Sequence, residues 1–107
     1  MSTQLKPTSY APLKRALSNC VDILKPCAEA LRSVDDPKLE KHVKALNLCL
    51  RDCKRAFEAI ESNSEQLREE KPILLRSFKK CIEVCRQIKL DIFQKAVVAL
   101  EDCLNEL

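Results

Sequence analysis

Apolar residues recur along this chain in steps of four and three, the spacing that lines one face of an α-helix. After Pro12 they fall at Leu13, Leu17, Cys20, Leu24, Cys27 and Leu31, a heptad seam. Pro26 lies within it and predicts a kink or a restart near residues 24–25, because proline removes a backbone donor. Asp35-Asp36-Pro37 then reads as a helix stop, an N-cap and a proline at the first position of a second helix. That helix carries Leu39, Val43, Leu46, Leu50, Cys53, Phe57 and Ile60, and fades at Ser62-Asn63-Ser64. Residues 65–71 are charged and predict only a short turn before Pro72 restarts the chain. A third seam runs through Leu74, Phe78, Cys81, Cys85, Ile88 and Ile92, then continues in steps of four through Ala96 and Leu100. Such a stutter means either one long helix or a break near Leu90-Asp91.

Two all-α architectures follow. A break folds the last segment back and predicts an antiparallel four-helix bundle. Without it, the chain is a three-helix bundle with a long C-terminal helix. The four-helix form is favoured, since a face of Phe93, Val97, Leu100 and Leu104 would otherwise stand in water. Residues 10–107 form the single domain and residues 1–9 a flexible arm. Composition supports the class: glycine is absent and aromatic residues make up 4%, so a sheet rich in tight turns has little to build on.

Charge narrows the partners. The net charge of +3 arises from 19 basic and 16 acidic residues interspersed along the chain, with no segregated basic face of the kind nucleic acid requires. The densest cationic run is Arg76, Lys79 and Lys80, a candidate patch for an anionic surface. No segment has the apolar length of a membrane span or a signal peptide, which predicts a cytoplasmic or nuclear protein. Seven cysteines, an odd number, would remain reduced there.

Two Cys-x-x-x-Cys pairs, Cys49/Cys53 and Cys81/Cys85, are symmetrical about residue 67. A hairpin turning there sets Cys49 opposite Cys85 and Cys53 opposite Cys81. The same reasoning at the first turn, near residues 34–35, adds Cys20 beside Cys49 and sets Cys27 beside His42; Cys103 falls away from the group as a plain core residue. Gathered thiols have two readings: reduced cysteine packs as a small hydrophobe, and pairs at i and i+4 chelate a soft ion such as Cu(I). Zinc wants a closed tetrahedral set and usually a Cys-x-x-Cys knuckle, which does not occur here.

Cys49-Leu50-Arg51-Asp52-Cys53, Cys81-Ile82-Glu83-Val84-Cys85 and the hairpin joining them resemble the cytosolic copper-storage four-helix bundles, over residues 39–88. Those bundles carry more inward cysteines per helix than this chain does. The resemblance implies Cu(I) at Cys49, Cys53, Cys81 and Cys85, to which the layer arithmetic adds Cys20.

Catalysis finds no constellation. His42, the only histidine, is followed by Val43-Lys44-Ala45, without the glycine and the lysine one turn on that a phosphotransfer helix displays. There is no phosphate loop or di-iron motif, and Asp22, Asp52 and Glu83 are expected to face solvent. The sequence therefore reads first as a non-enzymatic protein-interaction module, an adaptor, assembly or regulatory domain needing no cofactor. Leu48, Val97, Leu100 and Leu104 are its candidate partner-binding residues, the partner being another protein or a second copy. A Cu(I)-binding bundle is the second reading. A bundle that binds a membrane surface through Arg76, Lys79 and Lys80 is the third.

Overall fold

A computed structural model describes residues 10–62 and 64–107, with the Ser64 side chain left out. The expected arm at residues 1–9 lies outside the described residues. Within them the chain forms four antiparallel helices: α1 (Ala11–Val34), α2 (Glu40–Ser62), α3 (Ser64–Arg86) and α4 (Asp91–Glu106). Each packs against two neighbours, α1 and α3 both lying against α2 and α4. This is the four-helix alternative, in up-down-up-down order.

The first seam holds as read. Leu13, Leu17, Cys20, Leu24, Cys27 and Leu31 are all buried in α1. The expected restart at Pro26 does not occur: α1 runs through it, with Pro26 on the exposed side of the helix. Asp35 ends the helix in the left-handed conformation at φ 52°, which a short polar side chain tolerates, and its N–H donates to Arg32 O at 3.3 Å. Asp36 then caps, accepting from Lys38 N at 3.0 Å, and a 3-10 turn at Pro37–Leu39 leads into α2.

The polar segment before Pro72 is not a separate turn. α3 starts at Ser64 and passes through Pro72, which is exposed, while Leu67 is buried. Leu67, together with Glu70 paired to Arg55 of α2, sets the charged stretch against the bundle. The break before α4 forms without glycine or proline. The end of α3 tightens, Gln87 N–H donating to Val84 O and Ile88 N–H to Cys85 O, and Leu90 adopts an extended backbone. Asp91 stands in the first turn of α4, where a carboxylate suits the helix dipole. Burial of Phe93, Ala96, Val97, Leu100 and Cys103 drives the return, at about 1.5–3 kcal/mol for each large side chain.

The second helix is rotated from its expected seam. Its fully buried residues are Ala45, Leu46, Cys49, Asp52, Cys53, Ala56 and Ala59, whereas Leu39, Val43, Leu50, Phe57 and Ile60 are half-buried at the edges. α2 lies between α1 and α3, so its most enclosed stripe bisects the two contacts. Small residues on that stripe let both neighbours approach.

Candidate functional site

All seven cysteines are buried and unbridged. Six are electrostatic neighbours in succession, a row that draws on all four helices. It runs Cys103, Cys20, Cys53, Cys49, Cys81, Cys85. Cys27, seven residues and so about 10 Å along α1 from Cys20, lies near Cys81 and Cys85.

Two thiols stand out: Cys20, beside Cys103 and Cys53, and Cys81, beside Cys49 and Cys85, are held below the ordinary thiol range by those neighbours against the opposing effect of burial. Their neighbours shift the other way: Cys49, Cys53, Cys85 and Cys103 are pushed up, first by an adjacent thiol (Cys53 for Cys49, Cys20 for Cys53 and Cys103, Cys81 for Cys85) and then by desolvation. Cys27 is raised to about 11 by burial and by the nearby Cys81. Two sulfurs also reach the backbone of α4: Cys20 donates to Ala99 O at 3.2 Å and Cys27 to Ile92 O at 3.4 Å.

The five cysteines expected in two adjacent layers, 20, 49, 53, 81 and 85, neighbour one another in succession rather than as one cluster, and one helical turn out of the expected register. Cys49 faces Cys81 rather than Cys85, and Cys53 faces Cys20 rather than Cys81. Cross-links confirm the shift: Ser77 Oγ donates to Asp52 at 2.7 Å, and Arg55 pairs with Glu70 at 3.4 Å. The reason lies in the connections. α3 begins at Ser64, ahead of residue 67, and the 3-10 turn carries the first connection beyond residue 35. Two further expectations are corrected. Cys103 joins the row through Cys20, and Cys27 faces Ile92 and the α3 thiols while His42 Nε2 meets Gln87 Oε1 at 3.0 Å. Asp52, expected in solvent, is only 3% exposed. It sits one turn from Cys49 and Ala56, on the stripe that the rotation of α2 carries inward.

The proposed docking face on α4 is also corrected. Leu100 is fully buried, Val97 is 7% exposed and Leu104 is half-buried, because that face closes the core. Leu48 remains exposed, in a groove of about 360 Å³ between α2 and α3 with Ala45, Val84, Lys41, Lys44 and Lys80. Arg76 and Lys79 are exposed on the same helix as Lys80. No helix among the described residues is long and apolar enough to cross a membrane.

Among the described residues, no three Cys, His, Asp or Glu side chains converge as a ready-made ion site. That arrangement does not fit the closed tetrahedral set zinc requires. Neighbouring thiol pairs, donors of the soft kind, are what the chain supplies. No protein-family model, curated protein or solved structure matches this sequence.

Proposed function

We propose that this bundle binds Cu(I) between neighbouring core thiolates and has no catalytic role of its own. One observation carries the reading: every cysteine of the chain lies beside another cysteine, across helix boundaries. What a row of cysteines adds to a core that alanine or valine could fill is a run of soft sulfur donors. The sheath of Leu17, Leu24, Leu46, Phe78 and Leu100 excludes water and oxidant, which suits a thiolate-bound soft ion. Thiols in this state belong to a reducing compartment, the cytoplasm or nucleus. Anaerobic metal analysis and Cu(I) titration against a chromogenic chelator test the reading. Tight binding that disappears when Cys20, Cys49, Cys53, Cys81 and Cys85 are replaced by alanine is expected. A wild-type chain that surrenders all Cu(I) to the chelator overturns it.

A protein-interaction role is the second reading, carried by Leu48, which is 46% exposed above Ala45 and Val84 in its groove. Leu48→Asp should abolish capture of a partner or of a second copy, measured by sedimentation. A membrane-surface role through Arg76, Lys79 and Lys80 has only their exposure in its favour.

A further inference from the structure

The groove of about 360 Å³ between α2 and α3 combines apolar surface with charge of one sign. Its apolar lining is Ala45 and Val84, both buried, and Leu48, which is 46% exposed. Lys41 and Lys44 stand on the α2 side and Lys80 on the α3 side, all three exposed. None of them has an ion-pair partner among the described residues, whereas Arg51, Arg55 and Arg86 each have one. The carboxylates nearest in sequence, Glu40 and Glu83, do not line the groove. The surface there is therefore electropositive around an uncovered apolar strip. His42 Nε2 meets Gln87 Oε1 at 3.0 Å, and this cross-helix contact within the lining ties the two walls together.

We propose that this groove docks an acidic amphipathic helix of another protein, whose apolar residue packs on Leu48, Ala45 and Val84 while its carboxylates meet Lys41, Lys44 and Lys80. The proposal rests on the interaction reading above, to which it adds a partner class, and is independent of Cu(I). Charge selects the occupant. A two-fold dimer through this face would set the three lysines against the same three of the second copy, whereas an acidic segment neutralises them. Shape selects a helix. A groove between two helices offers no strand edge for an extended peptide and takes the ridge of a third helix. Length agrees: the seven residues from Lys41 to Leu48 cover about 10 Å, the span of a helix with an apolar residue at i and acids at i−3 and i+4.

The probe is a displayed library of helix-forming peptides of about 16 residues, selected on the full chain, with the enriched peptides measured by fluorescence anisotropy. They should carry an apolar residue with Asp or Glu three and four positions away. Leu48→Asp should abolish their binding. Reversal of the three lysines together, Lys41→Glu, Lys44→Glu and Lys80→Glu, should weaken it at least about tenfold, and exchanging the peptide's acids for lysines should restore binding to that variant. Raising salt from about 50 to about 500 mM should weaken the wild-type pair. All four positions are exposed, so these variants should fold, as circular dichroism checks. Leu48-dependent peptides without acids, or acidic peptides indifferent to the triple reversal, overturn the partner class and leave the interaction reading standing. If no enriched peptide depends on Leu48, both fall. A concentration-dependent dimer lost in Leu48→Asp would place a second copy in the groove. Co-sedimentation with phosphatidylserine–phosphatidylcholine vesicles that the triple reversal abolishes, with no peptide enriched, would assign the lysines to a membrane surface. Either result overturns the proposal.

Discussion

Copper capacity can be worked out from the order of the thiols. The six chained sulfurs divide into three adjacent pairs, Cys103 with Cys20, Cys53 with Cys49, and Cys81 with Cys85. If the proposed Cu(I) binding holds, two thiolates for each ion give a capacity of about three ions. Cys53→Ala cuts the chain into Cys103–Cys20 and Cys49–Cys81–Cys85. Each fragment contains one complete pair, so capacity should fall to about two ions. Cys27→Ala lies off the chain and should leave capacity unchanged. Anaerobic titration against a chromogenic chelator, with metal quantified by emission spectroscopy, reads these numbers directly, and circular dichroism checks that each variant folds. Stability gives an independent readout. One site at a hundredfold excess of free ion over its dissociation constant adds about 2.7 kcal/mol, which in a domain of this size raises Tm by roughly 10 °C or more. Equal capacity in Cys53→Ala and wild type would refute the pairwise arrangement.

Three other outcomes follow from the packing. Leu100→Ala should cost about 2–5 kcal/mol in urea unfolding and Leu48→Ala no more than about 0.5 kcal/mol, since one closes the core and the other stands at the surface; equal losses would contradict the placement of α4. Asp52→Ala should cost about 1–3 kcal/mol, because it leaves the half-buried Ser77 hydroxyl without its acceptor. If Asp52→Ala is as stable as the wild type, the α2–α3 register is wrong. Cys27 is held up to about 11 in the folded chain, against about 8.5 when unfolded. Both states keep the proton below the lower value and only the folded state keeps it between the two, so this thiol makes stability fall as pH rises, by up to about 1.4 kcal/mol per unit. Cys27→Ala should flatten that part of the slope between about pH 9 and about pH 10.5; an unchanged slope would count against the burial of this thiol.

Much of the bundle is legible in the sequence because helical periodicity is a local property. The α1 seam, the Asp36-Pro37 start and the apolar face of α4 each depend on residues within a few turns of one another. The meeting of Cys49, Cys53, Cys81, Cys85 and Cys20 was also legible, since any antiparallel hairpin brings residues equidistant from its turn together. Register was not. It depends on where each connection ends, and a start at Ser64 with a 3-10 turn at Pro37–Leu39 moves the facing layers by a full helical turn. Membership of Cys103 required the position of α4, set by a break at Leu90 that the spacing left open against one long helix. The stripe of α2 that is buried, Asp52 with it, depended on having neighbours on both sides. The sequence by itself determined which faces are apolar and that thiols would gather in the core. Only the tertiary structure decided which thiols are neighbours and that Leu48 shares a groove with Lys41, Lys44 and Lys80, because neighbours across helices follow from packing rather than from periodicity.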